Sequence, residues 1–274
     1  MHLVPPDPRL TGHWRRSLLA TPDGRRDTTT RVSWLQAGEL YVDLRIPAAG
    51  PELRGARRLG DLDRGRAIAV ARIEGFAGRL VADGGWARWE RLVDIQPPTA
   101  SPDEGRLAAE HGGAVDTMVE TGRDGSYVEH WQRVGGPGGA PVAVLLSEAT
   151  TGACAVLVRV GEDIGWARGR ARPLPPGRRL ADLVAAAATT EGARDLLDTE
   201  VAIGRLGRDG AVLTRSSLPW RAGAPFRVSV HDGGLATEDV DAAGEPVRHV
   251  WHVLAREGAP AGLPLSRPSG ESRR

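Results

Sequence analysis

RRLGDL at residues 57–62 returns as RRLADL at 178–183, an offset of 121, and GRLVADG at 78–84 returns as GRLGRDG at 204–210, an offset of 126. Order and approximate spacing are both kept. Two weaker echoes follow the same order: GEL in SWLQAGELYVDLR against GED in VRVGEDIGWARGR, and Trp131 in YVEHWQRV against Trp251 in VRHVWHVL. Self-similarity at a fixed period marks a repeated structural unit, so these matches predict a duplication of about 120 residues.

The repeated unit reads as β. In LYVDLRI, Leu40, Val42, Leu44 and Ile46 fall on one face and Tyr41, Asp43 and Arg45 on the other, the period of a half-buried strand. The TTTRVSWLQ run before it is β-branched and aromatic, Gly38 supplies the hairpin turn between them, and PDG at 22–24 turns the chain out of WRRSLLA. Further strands are predicted at 75–82, 86–95, 114–120 and 126–134, and in the second half at 142–148, 153–160, 164–169, 200–206, 211–217, 226–231 and 246–255. The stretches after the two RRLxDL strings, near 58–72 and 179–197, are Ala-rich and poor in β-branched residues, which predicts a short helix in each half. GGPGGAP at 135–141 supports no regular element and falls where the repeat ends. The expected organisation is all-β: two tandem, internally duplicated antiparallel β-barrels at 10–135 and 140–256, each with a short helix, and a disordered tail at 257–274.

Composition bounds the function. Every basic residue is arginine, and 36 of them against 35 acids leave a formal charge of +1, with the arginines scattered and locally paired; nucleic acid is not an expected partner. Cys154 is the only cysteine, which rules out an internal disulfide and suits a reducing compartment. The start has no signal-peptide pattern and no apolar run approaches the ~18 residues of a membrane span, so a soluble cytoplasmic protein with no membrane partner is expected. Eight Trp against two Phe and two Tyr make the indoles the main source of aromatic packing or aromatic ligand contact.

Several strings together resemble a known family: WRRSLLATPDGRRDTTTRVSWLQAGELYVDLRIP at 14–47, GFAGRL at 75–80, WERLVDIQPP at 89–98, YVEHWQRV at 127–134 and GRLGRDGAVLTRSSLPW at 204–220. They are similar to double-barrel, lipocalin-like proteins of fungi and bacteria, a family typified by a yeast protein that associates with a casein-kinase homologue. The resemblance covers most of the chain, more loosely in the second half. It implies a fold, two barrels of lipocalin-like topology, and carries no catalytic motif onto these residues.

A barrel of about eight strands has an interior that side chains fill or that holds one small ligand. In the first half the faces Tyr41-Asp43-Arg45, Trp89-Arg91-Val93 and Tyr127-Glu129-Trp131-Arg133 mix aromatic rings with both charges, as a pocket with stacking surfaces would. Trp14 belongs with them, and Arg16 could add a carboxylate-binding fork. The matching face of the second half reads Val247-His249-Trp251-Val253, which makes His249 and Trp251 the candidates there. The same faces also suit solvent-facing strands with cross-strand ion pairs, each worth under about 1 kcal/mol, or indoles packed in a core with their N–H groups on carboxylates.

Asp43 and Glu129 are the candidate acid/base groups, because a carboxylate partly desolvated beside Trp131 and Tyr41 gains a raised pKa. His249 and His252 stand three apart, on opposite faces of a strand, so no metal is expected. No cofactor is expected either, with His130, His231 or another lone His as a haem ligand the remaining alternative. Ser126 lacks the strand-to-helix elbow of a hydrolase, and Cys154, inside ACAVLVRV, reads as a structural thiol. Three functions fit: binding of a small, partly aromatic or apolar molecule in a barrel cavity; a cofactor-independent isomerase, hydratase or cyclase, as in secondary metabolism; or an interaction scaffold with filled barrels. The partner expected of the first two is a small-molecule ligand or substrate, and the oligomeric state stays open.

Overall fold

A computed structural model describes residues 2–3, 5, 7–53, 55–110, 116–136 and 138–266. Its first half contains β1 (His2–Leu3), β2 (Gly12–Ala20), β3 (Arg26–Asp27), β4 (Arg31–Ala37), β5 (Leu40–Ile46), α1 (Arg64–Val70), β6 (Glu74–Asp83), β7 (Trp86–Asp94), β8 (Glu104–Ala109), β9 (Thr117–Gly122) and β10 (Val128–Gly135). The second contains β11 (Val142–Glu148), β12 (Cys154–Val160), β13 (Asp163–Arg168), α2 (Leu180–Ala186), α3 (Thr190–Asp195), β14 (Glu200–Gly207), β15 (Gly210–Ser216), β16 (Pro225–His231), β17 (Gly234–Val240) and β18 (Pro246–Glu257).

Antiparallel pairing closes each half. β2, β4 to β10 in order, and β10 back onto β2 form an eight-stranded ring, with β1 added to β8 and β3 to β2. β11 to β18 form the second closed barrel in sequence order. The chain is therefore two tandem all-β barrels with a few short helices. No described helix is long and apolar enough to cross a membrane.

The duplication is visible residue by residue. Gly38 and Gly161 turn β4 into β5 and β12 into β13 with φ of 55° and 60°. Asp63 caps α1 by accepting from Arg66 N, and Thr189 caps α3 by accepting from Gly192 N. The same register break recurs between Ala77 and Gly78 and between Ile203 and Gly204, where a β-bulge leaves one residue of the partner strand unpaired. Gly78 is required there, since a Cβ would sit 1.9 Å from Glu90 O. The rise in offset from 121 to 126 also has a physical counterpart: the one-turn 3-10 helix Leu59–Asp61 becomes the longer α2 in the second half.

The structure departs from the sequence reading in several places. β1, β3, β8 and β17 were not anticipated; in β8 the inward residues Gly105, Leu107 and Ala109 are mostly too small to announce a strand, and β1 and β3 are only two residues long. The second half carries two helices rather than one. Residues 258–266 are not a disordered tail: a 3-10 turn at Pro260–Gly262 lets Leu263 pack on the second barrel's core, and Ser266 N donates to Val228 O at 2.7 Å. Residues 267–274, and the 114–115 end of one expected strand, lie outside the described residues.

Both lumens are filled. Trp14, Trp34, Trp89 and Trp131 occupy the first, with Trp34 at 6.3, 6.2 and 5.5 Å from the other three rings. Trp166, Phe226 and Trp251 occupy the second. Indoles at edge-to-face distances gain about 0.5–1.5 kcal/mol per pair beyond their burial, so these clusters anchor the barrels.

The barrels meet along their outer faces. Leu40, Val42, Leu44 and Ile46, the apolar set of β5, join Val156, Val158, Val201 and Ile203 of the second half in one core, with helical residues Ala67, Leu180 and Ala193 alongside. Val42 and Gly165 each stand four residues past their turn glycine, so they are equivalent positions, and they touch: a Cβ on Gly165 would lie 2.9 Å from Val42 Cβ. Gly75 and Val201, each three residues before its bulge glycine, touch likewise, with 3.0 Å for the corresponding distance. Contacts between equivalent positions are the mark of a local two-fold axis.

Candidate functional site

Alternation aims the other face of β5 into the first barrel. Asp43 and Arg45 lie one above the other there, and Arg45 Nε donates to Asp43 Oδ1 at 2.9 Å. The β9–β10 register sets Glu120 directly across from Glu129. Glu129 Oε1 accepts from Arg16 Nη1 at 2.6 Å and from Arg45 Nη1 at 3.3 Å, and Arg16 Nη2 goes on to Asp27 at 2.8 Å. Glu120 is held differently, by neutral donors: Tyr127 OH at 2.7 Å and Trp131 Nε1 at 3.1 Å.

These contacts frame a cleft of about 370 Å³ at one mouth of the barrel, walled by Arg45, Phe76, Trp89, Arg91, Glu120, Tyr127 and Glu129. Arg91 Cζ lies 3.7 Å from the centre of the Phe76 ring, and its guanidinium is tied to Asp94 at 2.9 Å and Asp103 at 2.5 Å. Among the described residues four buried side-chain polar atoms have no hydrogen-bond partner: Glu129 Oε2 and Tyr41 OH in the first barrel, and Arg168 Nε and Glu200 Oε2 in the second. A buried lone pair left unmade costs about 1–3 kcal/mol, so each invites a donor or acceptor.

Electrostatics sorts the groups. Burial, and then the charge of Glu129 opposite, push the Glu120 carboxyl well above its ordinary value, which favours its protonated form. Burial raises Asp43 too, with Arg45 pulling the other way. Burial opposes the charge on Arg45 and Arg91, but their carboxylate partners outweigh it and hold both above the ordinary arginine value. Burial and Glu120 raise the Tyr127 phenol, so it stays a donor.

Of the candidates read from sequence, Arg45, Trp89, Arg91, Tyr127 and Glu129 line the cleft, with Asp43 and Arg16 directly behind it. Trp14, Tyr41 and Trp131 are fully enclosed in the core. Arg133 turns away from the mouth, lies 4.3 Å over Trp14 and donates to the carbonyls of Thr11 and Arg9. Val93 does not share a face with Trp89 and Arg91, because the bulge makes Leu92 the extra residue and sends Val93 into the inter-barrel core. Phe76, Asp103 and Glu120 were missed. Glu120 was the findable one, since it alternates with buried Met118 in TMVETG.

The second barrel keeps the plan and changes the chemistry. His249 and Thr237 pair across β17 and β18 where Glu129 and Glu120 pair in the first, and the buried Trp251 donates Nε1 to Thr237 Oγ1 at 2.9 Å. Burial, with Arg168 second, lowers the His249 pKa. Arg168 reaches Asp198 at 2.8 Å, and Glu200 accepts from Ser216 at 2.6 Å, so this end is closed by an ionic cluster. Among the described residues no group of three or more His, Cys, Asp or Glu could hold a metal ion.

With that geometry in view, comparison with solved structures finds a related fold in the crystal structure of the uncharacterized protein YLR301w from Saccharomyces cerevisiae. The match spans 89% of this chain and 98% of that one, with a TM-score of 0.50 and 13% identity. The likeness is one of fold. No family model matches the chain, and no curated protein does.

Proposed function

We propose that the mouth of the first barrel binds a small, partly aromatic molecule carrying an amine or hydroxyl donor. The observation that carries this reading is Glu129 Oε2, a buried acceptor with no partner, beside a cleft walled by Trp89, Phe76 and Tyr127. A ligand N–H or O–H would complete it, while the aromatic walls would take the ring. With both lumens filled, this reading puts the ligand at the rim rather than in the barrel interior expected from the sequence. Filled lumens also match what an interaction scaffold would show, but Glu129, unlike the equally unpartnered Glu200, lines an aromatic-walled cleft that such a scaffold would not use.

One observation favours catalysis at the same place. Glu120, pushed towards its protonated form and set across from Glu129, would pair a proton donor with an acceptor, as cofactor-independent isomerisation or hydration needs. The reading keeps the chain with the double-barrel, lipocalin-like family and in the cytoplasm, for which a lone cysteine is suited.

The test is a titration with tryptamine, indole-3-ethanol and indole-3-acetate followed by calorimetry. Tryptamine and indole-3-ethanol are expected to bind, and Glu129→Gln to weaken them about tenfold, the loss of roughly 1.4 kcal/mol for one charge-assisted bond. Equal binding of the acetate, or indifference to Glu129→Gln, overturns the reading. Turnover of a bound ligand that disappears in Glu120→Gln while binding persists would establish the enzyme.

A further inference from the structure

A second recess, of about 510 Å³, lies between the barrels and shares only Trp89, Arg91 and Asp103 with the mouth. One wall is the end of β7 with the loop that follows it, and the other is the turn from Thr151 to Cys154 with the segment from Gly169 to Leu174. Its surface is divided. Leu92, the extra residue of the bulge, is pushed out of the sheet and left 41% exposed on the apolar side, near Pro98, Pro102 and Leu174.

On the polar side Asp94 and Asp103 are both taken up by Arg91, which leaves Arg170 and Arg172 as the cations without an ion-pair partner among the described residues. The Arg170 guanidinium joins the two halves by donating Nη1 to Asp94 O at 2.8 Å, Nη2 to Ile95 O at 2.7 Å and Nε to Leu196 O at 2.8 Å. Three of five N–H donors are used, one on each nitrogen, which leaves one on Nη1 and one on Nη2. Carbonyls supply no countercharge, and among the described residues no carboxylate is in ion-pair contact with this arginine, unlike Arg45 and Arg91. Burial, only partly offset by the charges of Asp94 and Asp198, pushes its pKa down to about 10. Arg172, exposed, lines the recess two residues further on.

A half-buried guanidinium on the recess wall with an unused N–H on each terminal nitrogen and no carboxylate in ion-pair contact can still take an oxyanion, and Arg172 adds a second positive charge beside it. We propose that the inter-barrel recess binds an amphipathic organic anion, its oxyanion on the free N–H groups of Arg170 and beside Arg172, its apolar body against Leu92 and Leu174. The site rests on different residues from the barrel mouth and stands whether or not the mouth binds a ligand.

Calorimetry with octanoate, octanol and octyltrimethylammonium tests it. Octanoate is expected to bind at least about tenfold more tightly than either other probe, and the exposed-residue variants Leu92→Asp and Arg172→Glu each to weaken it by a similar factor at an unchanged melting temperature. Glu129→Gln, which acts at the mouth, should leave octanoate binding as it is. Equal binding of the ammonium probe, octanoate binding that ignores both variants, or no binding of octanoate overturns the proposal.

Discussion

The indole N–H of Trp131 ends on Glu120 Oε2 at 3.1 Å, so a core side chain fixes the one cleft carboxyl that has no arginine on it. The same bond runs from Trp251 to Thr237 in the second barrel. The duplicated unit thus keeps an indole anchor and varies what it holds, an acid in one half and a hydroxyl in the other.

Glu120 gives the first prediction. Its folded pKa lies above the ordinary 4.5, so the native state holds the proton more tightly than the unfolded chain; the stabilisation is complete below that value and is lost as pH rises through the folded pKa. Glu120→Gln imitates the neutral acid, its oxygen accepting from Trp131 and its amide donating to the Tyr127 oxygen. Melting temperatures measured from pH 4.5 to 8 should fall more steeply for the wild type than for this variant.

His249 has the opposite sign. Its folded pKa lies below the ordinary 6.5, so the stability it contributes is present above that pH and lost as pH falls through the folded value. His249→Gln should flatten the acid side of the profile between pH 6.5 and 5. A variant with an unchanged acid slope would show that burial and Arg168 do not lower the pKa of this ring.

Arg16 is nearly inaccessible, its side chain 4% exposed between Glu129 and Asp27. Arg16→Met leaves two acids short of a partner, and breaking a buried pair costs about 3–5 kcal/mol. Urea unfolding is expected to show a loss at the lower end of that range, because Arg45 still reaches Glu129 and Thr29 and Thr30 still bind Asp27. Adding Glu129→Gln to Arg16→Met should recover part of the loss.

The contact between Val42 and Gly165 makes a reciprocal test. Gly165→Val places two valines in space for one and should destabilise by about 1–3 kcal/mol, the usual cost of overpacking. Val42→Gly combined with Gly165→Val exchanges the two residues across the local axis and should return most of that stability. Denaturation midpoints of the two single variants and the double variant measure the coupling.

Much of this was legible in the chain because strands report their faces every second residue. Leu40, Val42, Leu44 and Ile46 announced one buried surface, and Asp43, Arg45 and Glu129 announced a second surface of mixed charge. What the pattern could not say is which surface faces the lumen: the apolar set of β5 packs between barrels, and the charged set points inside. Bulges were equally invisible, since Leu92 breaks alternation without any change of residue type, and Val93 was therefore assigned to the wrong face. Arg170 carried no signal at all, because its three partners are carbonyls, which every sequence has everywhere.

The two contacts across the local axis each match a valine with a glycine, but in opposite order: Val42 with Gly165, and Gly75 with Val201. A copy of the first half facing another first half would collide at one of these points and leave a hole at the other, and two second halves would do the same with the points exchanged. Two positions thus give each half a face shaped for the other half and not for a second copy of itself.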